Sequence, residues 1–472
     1  MRPPSVRPGT APPWWLEEAL GWEGAPEPAP PLAGGLDVDV AIVGGGFTGL
    51  WTALSLRERE PSLRVAVLES EVVGWGPSGR NGGFVHGYWS SLARLRDLVG
   101  GERALALCRA GDRIVPAIRA LCGDDDVWLR EGGYLRVSAA PAQDAAVDRS
   151  VLAAADLGVP EECVPLDGDA VAARIASPRF RRGAFFRDGA TVQPARLARL
   201  LRRRALAAGV LLHERTRVVS IRPGRPATLA TPAGEVRAAE VVVALNAALA
   251  GWPPVASRLT AFGSTIVLTE PVPELLTGLG WTGGESVVDG RSFVHYFRTT
   301  PDGRVVMGSG SGPIGRGGAI DDRFWADAGS AARAEAGLRT LLPALADVRV
   351  THAWGGPVDV SADHVPFFGT VPGTRVHYGA GYSGNGVGPS WLGGQVLASL
   401  VLGVDDEWTA LPLVGRLVPR LPPEPIRHLA GGLVRAASLA CEDAEQDGLP
   451  APILTRAVAS LPRLVGLPIG VR

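Results

Sequence analysis

Short apolar runs rich in β-branched residues alternate with segments of helical periodicity in the first part of the chain. In the stretch 37–69, an apolar run from Val38 to Val43 ends at Gly44-Gly45-Gly46. Leucine and alanine then recur at helical spacing, and a second apolar run ends at Glu69. This order predicts a buried strand, a tight turn, a helix and a second buried strand.

The strand pattern returns at Val236 to Leu245, which leads into Asn246 and a turn of small residues. Between residues 265 and 307, short strands are separated by glycine and proline, as in antiparallel sheets. Trp128 to Val137 has the pattern of a β-hairpin. The patterns together predict an α/β fold, in which a Rossmann-type domain is interleaved with an antiparallel-sheet substrate domain and followed by a helical C-terminal tail.

The predicted domain boundaries follow these changes of pattern. Residues 1–35 are predicted to form a proline-rich arm whose Trp14-Trp15 pair docks on the folded body; an interface or a substrate-entrance role is the alternative. The nucleotide-binding domain comprises 36–98, 190–252 and 350–410, and the substrate domain comprises 99–189 and 253–349. In the C-terminal extension, 411–472, an apolar stripe is expected to cover the body, with membrane or partner contact as the alternative; its members are Ile426, Leu429, Leu433, Ala437 and Leu439.

Composition excludes several classes of function. The 472 residues carry 47 basic and 48 acidic side chains, a net charge of -1, so no basic surface for nucleic acid is expected. Every basic residue is arginine, which excludes a lysine Schiff base. The four cysteines and seven histidines show no metal-ligand spacing, and no metal site is predicted. No leader-like or membrane-spanning run occurs, which favours a cytoplasmic protein.

Gly44, Gly46 and Gly49 form G-x-G-x-x-G between the first predicted strand and helix. Such glycines allow the turn, the close approach of a pyrophosphate and tight helix packing, and the helix N-terminus favours phosphate. Glu69 follows the second strand, where a carboxylate accepts hydrogen bonds from ribose and disfavours a 2′-phosphate. A glycine-rich turn of another kind of α/β protein is the alternative.

Two further glycine-rich segments are candidate ligand sites. The loop Val72 to Gly83 is structured backbone that can lie against a planar ligand, with Arg80 and Asn81 as donors; the alternative is a sharp connector with a solvated arginine. Near the C-terminus, six glycines from Gly379 to Gly388 precede Pro389 and a helical pattern. They predict a second anion site at a helix N-terminus.

The glycine motif, Glu69, the loop GWGPSGRNGG, the strand VVVALNA and the segment GYSGNGVG resemble the FAD-dependent D-amino acid oxidase superfamily. The loop is most similar to the glycine oxidase and γ-glutamylputrescine oxidase-like branch, and the resemblance covers residues 36–405. It implies noncovalent FAD, since neither a cysteine nor His86 lies in a recognised attachment motif. The cofactor-binding residues that it implies are Gly44, Gly46, Phe47, Thr48, Gly49, Glu69, Ser70, Gly76, Ser78, Arg80, Asn81, Gly82, Gly83, Val218, Val219, Asn246, Gly384, Gly386 and Val387.

The resemblance further implies oxidation of a C–N bond in a small-molecule amine or amino acid. A hydride passes to flavin N5, the imine is hydrolysed, and oxygen is the expected electron acceptor. The alternatives are a dehydrogenase that uses another acceptor and a noncatalytic FAD-binding protein. No oligomeric state follows from the resemblance.

Candidate catalytic residues lie on the segment FVHYFR and in the C-terminal glycine segment. Arg298 is the candidate fork for a substrate carboxylate, with Arg291 in reserve, although either arginine can also be solvated or structurally paired. Tyr296 and His295 point to opposite faces of a regular strand, so at most one faces the flavin. Asn385 stands where relatives carry histidine, which keeps a hydrogen-bonding group and removes a titratable one.

Overall fold

The computed structural model describes residue 1 and residues 11–464. Its helices are α1 Trp14–Trp22, α2 Phe47–Arg59, α3 Leu92–Val99, α4 Gly101–Gly111, α5 Ile114–Cys122, α6 Asp144–Asp156, α7 Gly168–Ala172, α8 Pro194–Ala207, α9 Pro273–Gly278, α10 Ala328–Leu341, α11 Pro389–Leu402, α12 Ile426–Gln446 and α13 Ile453–Leu464. No helix of the described part of the chain is long and apolar enough to cross a membrane.

The strands divide between two large sheets and one small one. They are β1 Leu36–Val43, β2 Val65–Leu68, β3 Phe84–His86, β4 Tyr134–Ser138, β5 Val164–Leu166, β6 Arg182–Phe186, β7 Gly189–Thr191, β8 Leu211–His213, β9 Ser220–Arg222, β10 Ala227–Thr231, β11 Gly234–Val243, β12 Leu259–Thr269, β13 Ser286–Asp289, β14 His295–Thr299, β15 Val305–Ser309, β16 Val350–Ser361, β17 Phe367–Thr370 and β18 Val376–Ala380.

The first sheet has the order β17-β18-β11-β1-β2-β8, with β10 and β9 attached at β11. Strand β1 runs parallel to both neighbours, so that Val40 lies beside Val65 on one side and Glu240 on the other. The apolar residues of β1 are buried because helices cover a parallel sheet on both faces. Helices α2 and α11 pack so closely that a Cβ at Gly394 would lie 2.6 Å from the Trp51 side chain. The predicted Rossmann-type α/β fold is confirmed.

The second sheet has the order β16-β12-β15-β14-β13-β4-β6-β5. Its pairs are antiparallel except for β13 and β4, which run parallel. The predicted hairpin at Trp128 to Val137 is wrong, because β4 pairs with the distant strands β6 and β13. The nucleotide-binding domain is predicted to resume at residue 350. However, β16, from Val350 to Ser361, pairs with β12 and so belongs to this second sheet.

The N-terminal arm is partly helical. Trp15, Leu16 and Ala19 of α1 are fully buried, so the docking of the tryptophan pair is confirmed for Trp15. Residues 14–22 are helical because this apolar face packs against α8. Residues 2–10 of the arm lie outside the described residues.

Helix α12 forms where the C-terminal stripe predicts one, but much of the stripe does not cover the body. Ile426, Leu429 and Leu433 are 57%, 63% and 67% exposed, whereas Ala437 and Leu439 are buried. The face of α12 that carries Ala430, Gly431 and Val434 lines the cavity described below, and Gly431 approaches Ile314 so closely that a Cβ would lie 3.3 Å from its side chain. Residues 465–472 of the extension lie outside the described residues.

Candidate active site

A cavity of about 1170 Å³ lies between the two large sheets. The carboxyl end of β1 and the N-terminus of α2 form one end of it, and β12, β14 and β16 form a wall. Residues of α12 and α13 close the far side. Its volume exceeds the range of about 300–1,000 Å³ typical of sites for one small ligand. The cavity therefore has room for a dinucleotide and a second molecule.

The glycine turn lies against the cavity. Gly44 has φ +109°, and a Cβ there would lie 2.4 Å from the Ala244 carbonyl oxygen. At Gly49 a Cβ would lie 2.0 Å from the Gly44 carbonyl oxygen, so this residue serves helix packing and does not itself line the cavity. Gly46, Phe47 and Thr48 line it and leave the start of α2 open to an anion.

Glu69 directly follows β2 at the same edge of the sheet. Its carboxylate accepts the Gly45 N–H at 2.8 Å and the Glu71 N–H at 3.0 Å, and Ser70 beside it also lines the cavity. Burial raises the pKa of Glu69, and these backbone donors oppose the rise. A carboxylate has about four acceptor positions, so it retains capacity for a ribose hydroxyl.

The loop Val72 to Gly83 presents backbone and small side chains to the cavity. Gly76, Ser78, Arg80, Asn81 and Gly82 line it, whereas Gly83 packs outside against the Val192 carbonyl. The structure corrects the proposed donors. Arg80 donates to the carbonyls of Trp75 and Ala11, at 2.7 and 3.0 Å, and Asn81 donates to those of Pro77 and Ser78. These side chains hold the loop in shape instead of reaching a ligand.

The C-terminal glycine segment lies across the cavity at the start of α11. Gly384, Asn385, Gly386 and Val387 all line the cavity. The Asn385 side chain donates to the Gly87 carbonyl at 3.1 Å, which ties this segment to the loop after β3. Its Oδ1 is buried and has no partner among the described residues. An acceptor left open beside a helix N-terminus fits a bound group that offers both an N–H and negative charge, as a flavin does.

A second open acceptor belongs to Asn246, which lines the cavity after β11. Its Nδ2 donates to Asp359 at 3.0 Å, and its Oδ1 is also without a partner in the described structure. Asp359 accepts the Gly381 N–H at 2.6 Å as well, and burial raises its pKa to about 7. Sequence reasoning missed Asp359, although the alternation of β16 would have pointed one of its polar residues inward. The residues of this site fit FAD.

Only one of the two valines predicted to bind the cofactor, Val218 and Val219, lines the cavity. Val218 is buried and lines the cavity, but Val219 is 43% exposed and does not. Successive residues of an extended segment point to opposite sides, so Val219 faces away. Thr216 and Arg217, which sequence reasoning missed, line the cavity beside Val218 and carry no distinctive motif.

Tyr296 of the second sheet faces the loop Val72 to Gly83, here called the flavin loop: a Cβ at Gly82 would lie 3.0 Å from its ring. Its hydroxyl lies 2.8 Å from the Ser264 hydroxyl, and its ring meets Phe84 edge-on at 5.8 Å. The ring lies over Gly308, where a Cβ would be 2.0 Å from it. Burial raises the pKa of Tyr296 to about 12, which keeps the phenol neutral. Ser264 has no sequence signal and was missed.

His295 points away from the cavity, as strand alternation predicts for a neighbour of Tyr296. Its Nδ1 lies 2.9 Å from Asp289, and its ring packs against Gly337 of α10, where a Cβ would be 2.5 Å away. The proposed catalytic role of His295 does not fit this position, since the side chain cannot reach the cavity.

Arg298 also differs from its predicted role. It is 1% exposed and does not line the cavity. It donates to the carbonyls of Gly82 and Val192 at 2.6 and 2.7 Å and lies over the Trp15 ring at 5.1 Å. Its donors hold the flavin loop, so no open fork faces a carboxylate. The reserve candidate Arg291 does line the cavity, but Asp289 and Asp443 lie 3.3 and 3.6 Å from it.

Comparisons with known proteins agree with this geometry. The DAO family model, described as FAD dependent oxidoreductase, matches residues 39–400. A probable oxidoreductase OrdL of Rhizobium meliloti (strain 1021) is 30% identical over 393 residues, or 80% of this chain and 86% of the relative. The gamma-glutamylputrescine oxidoreductase of Escherichia coli (strain K12) is 29% identical over 379 residues, which cover 79% of this chain and 85% of the relative.

Solved structures share the fold. Glycine oxidase from Geobacillus kaustophilus has a TM-score of 0.66 and 22% identity, covering 81% of this chain and 100% of that one. L-proline dehydrogenase from P. horikoshii has a TM-score of 0.65 and 18% identity, with coverages of 81% and 96%. The family match extends over most of the chain and includes the glycine turn, Glu69 and the C-terminal glycine segment. The chain therefore belongs to the DAO family of FAD-dependent oxidoreductases.

Proposed function

We propose that this protein oxidises the C–N bond of an amine or amino acid by hydride transfer to N5 of bound FAD, giving an imine that water hydrolyses. The observation that carries the proposal is that both large sheets line one cavity. In it, Tyr296 of the second sheet faces Gly82 of the flavin loop, and the Ser264 hydroxyl lies beside the Tyr296 hydroxyl. The names of a gamma-glutamylputrescine oxidoreductase and an iminodiacetate oxidase among the related proteins support the amine class.

The residues of this chain supply binding, orientation and exclusion of water. The start of α2 and the glycine segment that precedes α11, Gly384 to Val387, line the cavity and would present backbone N–H groups to the negative parts of the cofactor. Phe84, Phe293 and Tyr296 line the cavity with apolar surface. Such surroundings favour the uncharged form of a substrate amine, which is the form that can lose a hydride.

His86 provides a neutral imidazole on the same cavity wall. Burial lowers its pKa to about 4, with a further lowering by Arg136. Its Nδ1 lies 3.2 Å from the Gly87 carbonyl, and its ring lies 4.5 Å from that of Tyr134. A neutral ring held by one nitrogen leaves the other available to accept a hydrogen bond.

We expect the FAD to be noncovalent. The four cysteines are buried, and none of them lines the cavity. Acid precipitation should therefore leave a colourless pellet and release FAD into the supernatant, where its absorbance is measured. A yellow pellet after washing would contradict this, and a His86→Ala protein treated in parallel would show whether that ring is the attachment point.

Oxygen is the proposed acceptor, but the absence of lysine leaves no lysine ammonium to assist its reduction. A dehydrogenase that uses another acceptor is therefore the second candidate. We expect stopped-flow experiments to show anaerobic bleaching of the flavin by amines, followed by slow reoxidation when oxygen is added. Fast bleaching would favour the dehydrogenase if oxygen then reoxidises the reduced flavin more slowly than an artificial quinone acceptor does.

Hydroxy acids provide the matched control substrates in the same experiment. Bleaching by hydroxy acids and by none of the amines would contradict the proposed C–N chemistry. Bleaching by neither class would favour a noncatalytic FAD-binding protein.

A further inference from the structure

Three arginines line one wall of the cavity on three separate elements. They are Arg94 on α3, Arg136 on β4 and Arg149 on α6. Ser90 and Ser150 lie between them: Arg136 donates to the Ser90 carbonyl at 3.3 Å and to the Ser150 hydroxyl at 3.2 Å. This arginine corner is defined by the three arginines and two serines.

No described carboxylate forms an ion pair with Arg94, Arg136 or Arg149. Two buried arginines elsewhere are paired with acids: Arg199 lies 2.5 Å from Glu23, and Arg202 lies 3.1 Å from Glu214. The buried Arg80 and Arg298 donate instead to backbone carbonyls. The carboxylate of Asp363, which interacts with Arg94 at longer range, is engaged by Arg416 at 2.5 and 2.8 Å. The arginine corner, in which Arg94 and Arg136 are half-buried and Arg149 is exposed, therefore places three cations on the cavity wall without an ion-paired acid among the described residues.

The charges of the arginine corner act on one another and on two histidines, His86 and His364. The pKa of Arg94 is lowered by burial and further by Arg136 and Arg149. The pKa of His364, which also lines the cavity, is lowered to about 3 by burial and by Arg94. Its Nε2 is buried without a partner among the residues described. Uncompensated positive charge in a partly desolvated cavity is costly unless an anion joins it.

The corner lies at a defined distance from the proposed reaction wall. Arg136 is paired with Val288 on the adjacent strand, and Val288 is paired with Tyr296 on the next. Two strand spacings of about 4.8 Å separate the backbones of Arg136 and Tyr296 by about 10 Å. All three side chains line the cavity and lie on one face of the sheet. A ligand that reaches both positions must be several bonds long.

We propose that the arginine corner binds a carboxylate of the substrate that is remote from the amine being oxidised. The proposal rests on the proposed function and names its substrate class: amines that carry a carboxylate several bonds from the reacting carbon. Two or three guanidinium groups offer the bidentate, charge-assisted donors that a carboxylate prefers. The serine hydroxyl on α6 adds a neutral donor.

The test compares ω-aminoalkanoates from β-alanine to 8-aminooctanoate with n-alkylamines of matched length, using the FAD-loaded protein. Affinity is measured from the concentration dependence of anaerobic flavin bleaching. We expect wild-type protein to prefer the longer aminoalkanoates over the matched alkylamines. Arg136→Gln should weaken aminoalkanoate binding by about 10- to 100-fold, as for loss of one charge-assisted contact, and leave alkylamine binding unchanged.

Two further variants control for folding and charge. Arg149 is exposed on α6, so Arg149→Gln removes a cation of the corner without disturbing a strand. Arg222→Gln removes an equal charge on β9, far from the cavity lining, where the side chain is 68% exposed. We expect Arg149→Gln to resemble Arg136→Gln and Arg222→Gln to resemble wild type. Equal loss for aminoalkanoates and alkylamines, or no loss in either corner variant, would overturn the proposal.

Glutarate separates this proposal from the proposed function, because it carries carboxylates and has no amine to oxidise. Its binding is followed by perturbation of the flavin absorbance spectrum, without turnover. Glutarate binding that is lost in Arg136→Gln supports the anion site even when no amine bleaches the flavin. Amine bleaching without discrimination between aminoalkanoates and alkylamines supports the function and overturns the site.

Discussion

Replacing Gly46 with valine should abolish FAD binding in a chain that still folds. A Cβ at this position would lie 2.9 Å from the Ser78 hydroxyl oxygen, which accepts the Phe47 N–H at 2.9 Å. The two valine methyl groups would then occupy the cavity beside the first turn of α2, where the pyrophosphate approaches the backbone. Overpacking costs about 1–3 kcal/mol, and lost phosphate contacts add to it, so we expect FAD affinity at least about 100-fold weaker.

FAD content after purification and titration of the apoprotein with FAD measure this effect. Gly46→Ala should lose less affinity, because one methyl group displaces only the end of the Ser78 side chain. Gly278→Ala is the matched control, since a Cβ there meets nothing within 4 Å. A folded Gly46→Val protein with normal FAD content would contradict the placement of the pyrophosphate at this turn.

Replacing Glu214 with alanine should destabilise the protein by about 3–5 kcal/mol, the usual result of removing one partner from a buried ion pair. Glu214 is fully buried and lies 3.4 Å from Arg199 and 3.1 Å from Arg202. Its carboxylate also accepts the N–H groups of Ala29 and Val73, at 2.6 and 2.7 Å. The variant leaves two buried guanidinium groups short of an acceptor and detaches the N-terminal arm.

Denaturant unfolding followed by tryptophan fluorescence measures the loss in the free energy of unfolding. If the protein does not refold, the unfolding rates of the variant and of wild type are compared instead. Glu235→Ala is the control, because Glu235 pairs with Arg222 on the surface with both side chains more than half exposed. Surface pairs contribute about 0–1 kcal/mol. A loss of less than about 1 kcal/mol at Glu214 would show that the buried cluster does not secure the arm.

Local patterns were sufficient to predict the strand, turn and helix at one end of the cavity. The positions of Gly44 and Gly49 depend on a turn and a helix that follow one another directly, and Glu69 directly follows the next strand. The segment at Gly384 to Val387 is similarly local, because its glycines immediately precede α11. In each case the strand, the turn and the helix signal lie within a few residues, so the sequence contains the whole structural unit.

The errors concern residues whose partners are distant in the chain. Arg298 appeared free for a ligand, but its donors meet carbonyls of Gly82 and Val192, more than a hundred residues away. The β4 hairpin failed for the same reason, since its strand partners follow much later. The stripe on α12 predicted the helix but not its orientation, because periodicity cannot show that Gly431 and its neighbours face a cavity.

The position of β1 has a consequence for synthesis of the chain on the ribosome. Its two neighbours are β2, which emerges soon after it, and β11, which emerges about 200 residues later. At a translation rate of about 5–20 residues per second, one edge of β1 lacks its strand partner for about 10–40 s. An unpaired apolar edge is prone to association with other chains. The nascent protein should therefore depend on chaperones during this interval, and it can capture its cofactor only after α11 has left the ribosome.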